Sequence, residues 1–487
     1  MQWTVDQPSR RDVLRGALAT GAALTLGGGV TACGARGDAP RTAGGDQWRQ
    51  YQGTTLNFIS ENTAPTAAIA ADIRPFTDLT GIDVRIVTLE LTALVQRVAL
   101  DLASGRAQYQ VIYADPYQVL APYQRGLVDL RTLQADPNLP DLPGGVEDFI
   151  PAQLDAAGRF VDAGPVYALP YDAPTMIWQY RRDLFDKYRG RMAADLGFEP
   201  TPGGDRTWEE YFRMAEWFNK NATSDVRYGT GHQARQHDSL MNDFSNVLWS
   251  YGGTYFDNGK EVGRLGARDP GPCRLDADAA IAGAAFYQRL LGIADPASKT
   301  WDWDGVGAAF RAGRLAMCPN WHEFAASNEQ VLPGKVGYAA LPKGPAGTAN
   351  MYGGTGVAIS ANTLPNERGA AWLFLAWATS PQTQLANLKS KAGGGTPTRT
   401  SVYELPEVRA AEQRPSQMPN MLTAAAVRQA WQADRIGLRP KIPMWNECNT
   451  AIFTQLSRML TGGASPEEAM RSIKSRVDQI VARGWVA

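Results

Sequence analysis

Residues 55–113 read TLNFISENTAPTAAIAADIRPFTDLTGIDVRIVTLELTALVQRVALDLASGRAQYQVIY, and this stretch sets the architecture. Thr55 to Ile59 is a short strand. Pro65 opens a helix whose apolar positions Ile69, Ile73 and Phe76 recur at helical spacing, and Gly81 stops it. Ile82 to Leu89 is rich in β-branched residues and predicts a second strand. Leu91, Leu94, Val95, Val98 and Leu102 share one face of a second helix that ends at Gly105, and Val111-Ile112-Tyr113 is the next strand. Strands alternating with helices predict an α/β protein with mostly parallel sheets covered by helices. Ligands on such sheets lie beyond the carboxyl ends of the strands. Those ends are Ser60-Glu61-Asn62 and Ala114-Asp115.

Downstream, 137–151 is a Pro- and Gly-rich connection. An apolar strand over 175–180 follows Tyr171-Asp172-Ala173-Pro174. Helices are predicted near 208–219, 238–251, 276–291, 305–312 and 366–379, with strands at 336–341 and 353–359 and a helical last third. No internal repeat is visible. At 487 residues the chain needs two or three domains. Its formal net charge of -1 lacks the basic surplus that phosphate recognition wants, which argues against a nucleic-acid partner.

Residues 1–33 read as an export signal: Arg10-Arg11, an apolar Gly/Ala run, then Val30-Thr31-Ala32-Cys33. The ending resembles a bacterial lipobox, which makes Cys33 the acylated first residue of a protein tethered to the outer face of the cell membrane through 34–48. The twin arginine resembles the signal of the pathway that exports folded chains. Such a chain cannot depend on disulfides to fold. Cys273, Cys318 and Cys448 remain in the body, compatible with one bridge and a free thiol or with three free thiols. His232 and His237 lack the partners of a metal site, so no metal and no cofactor are expected.

Several ordered segments resemble the extracellular solute-binding proteins of carbohydrate-type ABC importers, the family that includes maltose-binding protein. They are Asp115 with Arg125-Gly126-Leu127-Val128-Asp129-Leu130, Pro170-Tyr171 with Tyr180-Arg181-Arg182-Asp183-Leu184-Phe185, and Ser250-Tyr251-Gly252-Gly253. Further on come 310–317 with Trp321, 353–359 with 370–375, Gly393 to Arg399, and Pro466-Glu467-Glu468-Ala469. The resemblance implies two α/β lobes with a ligand cleft between them and three crossings, near 171–174, 336–342 and 379–382. Lobe 1 is then 49–172 and 342–378; lobe 2 is 173–341 and 379–487. It also implies a monomeric protein that is not an enzyme and delivers a sugar or polyol to permease subunits.

Trp321 is the first candidate for ligand contact, because an indole face suits the C–H face of a sugar ring. Trp249, Trp445, Tyr171 and Tyr117 are further aromatic candidates. Glu61, Asn62, Asp115 and Asp172 sit on strand-end loops and suit paired hydroxyls. Arg399 offers a forked donor, and Gly353 and Gly354 allow close backbone approach. Trp301 and Trp303 receive no assignment. A glycerol phosphate-like ester or a polyamine is the alternative ligand. A secreted glycoside hydrolase is the alternative from another class, opposed by three His residues in all and by the lack of a catalytic signature.

Overall fold

A computed structural model describes residues 47–257, 265–392, 394–413, 418–432 and 434–484. The signal, Cys33 and most of the tether lie outside the described residues. The strands are β1 (Thr55–Glu61), β2 (Asp83–Leu89), β3 (Val111–Ala114), β4 (Ala168–Asp172), β5 (Met176–Arg181), β6 (Tyr228–Thr230), β7 (Leu315–Trp321), β8 (Val336–Ala339), β9 (Lys343–Gly344), β10 (Gly347–Thr348), β11 (Asn350–Met351), β12 (Thr355–Ile359) and β13 (Ile436–Gly437).

The strands of the opening stretch fold as its pattern predicts, but the single helix expected from Pro65 to Gly81 is two, Ala64–Ala71 and Arg74–Thr80, broken at Asp72-Ile73 because Pro75 has no N–H for a continuous helix. β1 lies between β2 and β3, parallel to both, with Leu56, Phe58 and Ile59 fully buried. Gly81 and Gly105 both take left-handed backbone at helix C-termini, where a side chain is penalised. Helix Leu91–Ser104 covers one part of the sheet through Leu94 and Val98, and helix Pro365–Ala378, with Trp372 and Phe374, another.

The first sheet has the order β2-β1-β3-β12-β4. The second has the order β6-β7-β5-β8. Each is mostly parallel, as expected, with one strand reversed. β12 runs antiparallel to β3 and β4, and β5 runs antiparallel to β7 and β8. The physical reason is the crossings: a strand that enters from the other lobe is not bound by the short right-handed β-α-β connection that enforces parallel pairing.

Two lobes result, each with its own core. The first crossing falls at 173–175, between β4 and β5. The second comes later than 336–342. After β8 the chain still bonds to the second lobe, with Lys343 N–H to the Arg206 carbonyl (2.7 Å) and Ala346 N–H to the Ser250 carbonyl (2.9 Å). It rejoins the first sheet only at Thr355. The third crossing follows helix Pro365–Ala378, yet the chain beyond it does not leave the first lobe at once. Ile150 N–H donates to the Thr398 carbonyl (2.9 Å), Thr400 N–H to the Asp148 carbonyl (2.8 Å), and the Thr398 hydroxyl to the Pro170 carbonyl (2.9 Å). The stretch 394–401 is therefore bonded to first-lobe segments. The closing helices Trp445–Leu460 and Pro466–Arg483 fill the second core through Cys448, Ile452, Leu456, Ile473 and Val477. Cys273, Cys318 and Cys448 are all free and buried.

Candidate functional site

The carboxyl ends of β1 and β3 face the end of β7 across a cleft of about 330 Å³. Glu61, Asn62, Tyr113 and Asp115 line it from the first lobe; Trp303, Trp321, Glu323, Asp238 and Arg439 line it from the other side. Gly353 contributes backbone.

Each side chain is held for a reason. Asp115 follows β3 and caps a short helical turn, its Oδ1 accepting from the Tyr117 and Gln118 N–H groups at 2.9 and 2.7 Å. Its Oδ2 accepts from Arg439 Nη2 at 3.1 Å. Arg439 also lies 3.7 Å from Asp238 and stacks 4.3 Å over the Tyr117 ring. One buried guanidinium thus joins a first-lobe carboxylate to a second-lobe one, and the paired acids keep it firmly charged. A second polar contact spans the lobes: Glu90, N-cap of helix Leu91–Ser104, is hydrogen-bonded to His237 Nε2 at 2.7 Å. Among the described residues no cation pairs with Glu61. Burial and the negative charges of Asp115, Asp238 and Glu90 push its carboxyl up to about 8, against the Tyr113 hydroxyl that donates to it.

Trp321 ends β7, half-buried, with its ring edge over Gly353. A Cβ on Gly353 would stand 2.8 Å from two indole carbons, so glycine is required there. Gly353 N–H is tied to the Pro174 carbonyl at 2.8 Å. Trp303 opens helix Trp303–Arg311 and packs at 5.3 Å, ring centre to ring centre, on His237.

The cleft therefore gathers Glu61, Asn62, Asp115, Trp321 and Gly353 of the expected residues. Asp172 lies just behind it. Its Oδ1 accepts the Thr396 N–H at 2.6 Å, and it shares a hydrogen bond with Glu323; burial raises both carboxyls. Gly354 packs under the Tyr352 ring. The others are corrected by their surroundings. Arg399 is fully buried away from the cleft. Its Nε donates to the Thr379 carbonyl (2.5 Å) and its Nη1 to the Gly145 carbonyl (2.8 Å), and the guanidinium stacks 3.9 Å over Phe149. Trp445 is wholly inside the second core, 5.5 Å from Tyr255. Trp249 packs on Gly437 and Tyr255. Tyr171 lies in the first core, edge-on to Phe58 at 6.4 Å. Tyr117 is the platform beneath Arg439. Each buries a large apolar or stacked surface that contact with solvent would forfeit.

Arg439, Asp238, Tyr113, Trp303 and Glu323 were not singled out from the sequence. Glu323 carried a usable signal, two residues past Trp321. A second cavity of about 610 Å³ shares Glu323 and continues past His322 and Thr396 to Tyr403, Met421 and Trp431. His322 is kept neutral there, its ring pushed down to about 4 by burial. Among the described residues no cluster of His, Cys, Asp or Glu is arranged to hold a metal ion.

Residues 7–27 match the signal sequence of the twin-arginine translocation pathway, so the protein acts outside the cytoplasm. Over 447 residues the chain is 22% identical to the probable amino-acid ABC transporter periplasmic-binding protein y4oP of Sinorhizobium fredii, covering 89% of this chain and 91% of that one. The maltose-bound MalE3 of T. maritima superposes with a TM-score of 0.71 at 22% identity, over 88% of this chain and all of the other. A ribitol-bound ABC transporter solute-binding protein of Agrobacterium radiobacter does so with a TM-score of 0.71 at 22% identity, over 88% and 99% of the two chains. Residues 60–385 match the model of bacterial extracellular solute-binding proteins, and with its two sheets facing each other across a cleft the chain belongs to that family of binding proteins, not to the enzymes.

Proposed function

We propose that this protein captures a sugar or polyol outside the cytoplasmic membrane and hands it to the permease of an ABC importer. The observation that carries the reading is the cleft itself, where two indoles stand beside buried hydrogen-bonding carboxyls at the ends of β1 and β3. Aromatic faces supply burial without demanding one donor pattern. Glu61 and Asp115, with Asn62 at the rim, then read hydroxyl positions, because an unmatched buried polar group costs about 1–3 kcal/mol. Closure is part of the reading: Arg439 and His237 from one lobe meet Asp115 and Glu90 from the other, so a solute that bridges the lobes favours the state the permease recognises. Maltose in one solved relative and ribitol in another give the range of solutes to try. We assign lipid to Cys33 and a monomeric state to the exported protein.

A thermal-shift screen of the mature chain against neutral sugars and polyols tests the function. A true solute raises the unfolding temperature with concentration and contracts the particle in small-angle scattering. A screen without a single stabiliser, or saturation without contraction, removes the reading. Mass spectrometry of membrane-extracted protein checks the anchor, by an acylated Cys33 at the N-terminus.

A further inference from the structure

The charges in the cleft do not balance. Arg439 is occupied by Asp115 and Asp238. The other lining cation, Lys391, is exposed at the rim, where Asp304 is exposed as well. Glu323 is hydrogen-bonded to Asp172, and burial raises both carboxyls. That leaves Glu61, 8% exposed, and no ion pair reaches it from any described residue. The charged groups acting on it, Asp115, Asp238 and Glu90, are all acids, Glu90 being hydrogen-bonded to His237; Tyr113 is its neutral partner. A lone carboxyl surrounded by acids in a nearly dry site lacks the partner that would let it ionise. Two indoles, Trp303 and Trp321, stand in the same cleft, and their faces attract cations as well as sugar C–H groups.

We propose that the solute carries a protonated amine and that Glu61 receives it, in the cleft walled by Trp303 and Trp321. The inference rests on the sugar-or-polyol reading for the remainder of the solute and adds the charge. A neutral polyol leaves Glu61 protonated, as burial makes it. An ammonium group supplies the positive charge the cleft lacks, and Glu61 gives up its proton to solvent as the pair forms. Preference for the amine over its neutral counterpart therefore grows as pH rises from 6 toward 8, where Glu61 ionises more readily before binding.

The test uses a matched pair on the mature chain, D-sorbitol with 1-amino-1-deoxysorbitol, whose alkylamine is protonated at both pH values used, together with choline and putrescine. Calorimetry at pH 6 and pH 8 reads affinity, and repetition in buffers of different ionisation enthalpy reads proton release. Expected is at least about tenfold tighter binding of the amine member at pH 8, with net proton release at pH 6, both erased in Glu61→Gln. Equal or tighter binding of the neutral member overturns the amine and leaves the polyol reading standing. The same holds for an amine preference that survives Glu61→Gln. Binding of choline or putrescine with no polyol bound keeps the charge and breaks the polyol reading. Absence of binding by every probe breaks both.

Discussion

Arg399 and Arg439 are both buried arginines on irregular segments, and they do opposite things. Arg399 is bonded mainly to carbonyls, at Thr379 beside the third crossing and at Gly145 in the first lobe, with Asp148 at 3.4 Å. Arg439 has two carboxylates, one from each lobe. The first pins a connection within the frame; the second joins two halves that face each other across the cleft. A buried cation bonded to carbonyls stabilises a local path of the chain, whereas one set between carboxylates controls whether those acids can approach at all.

The sharpest way to break this contrast is Arg439→Met. Methionine keeps much of the bulk over Tyr117 but leaves Asp115 and Asp238 uncompensated. The expected loss is about 3–5 kcal/mol in urea unfolding, as for removing one partner of a buried pair, with solute affinity lost as well. A variant as stable as the parent would show that solvent already neutralises the two aspartates. Arg399→Met should cost less, about 1–3 kcal/mol, because Asp148 keeps the Ser401 hydroxyl at 2.8 Å. Its solute affinity should stay unchanged in calorimetry; a tenfold drop would return Arg399 to the site.

Legibility in the sequence follows the same line. The opening strands, the glycine stops and the return strand at Thr355–Ile359 were readable, because period and punctuation are local signals. The cleft residues that come from those strand ends, Glu61, Asn62 and Asp115, were readable with them. Arg439 was not. It lies on Leu438-Arg439-Pro440-Lys441 with no period, and its meaning depends on acids remote in sequence. Strand direction in the second sheet was hidden for a related reason, since the connections that set it pass through the crossings. The tryptophans show the limit of composition: Trp321 and Trp445 look alike in sequence, and only packing separates them.

That separation can be measured. Trp321→Ala should weaken solute binding by about 2 kcal/mol, roughly 30-fold, with the fold intact. Trp445→Phe should leave affinity alone and lower stability instead. Equal affinity loss in both would mean that core packing, not contact, sets binding.

The effect of pH builds up gradually and needs no substitution to be seen. A carboxyl raised from 4.5 to about 8, as in Glu61, holds its proton more tightly in the folded chain. The stability it contributes is complete below about pH 4.5 and is lost as pH rises through 8. The slope per proton is at most about 1.4 kcal/mol per pH unit. Glu323 acts in the same direction. Without ligand, stability in urea should therefore fall from pH 5 to pH 8, and Glu61→Gln should flatten the fall. A slope unchanged in that variant would place the titration elsewhere.

The position of β12 bears on how the chain comes to be folded before it leaves the cytoplasm. In the first sheet β4 touches only β12, and β12 alone links it to β3. Between β4 and β12 in sequence lie all four strands of the second sheet. During synthesis β4 emerges early and waits with an unpaired edge until β12 follows, so the first lobe cannot close its sheet ahead of the second. Pairing over such a span is slow, and a waiting edge invites strangers. A secretion route that accepts only finished molecules gives the nascent protein time to complete this last, distant zipper.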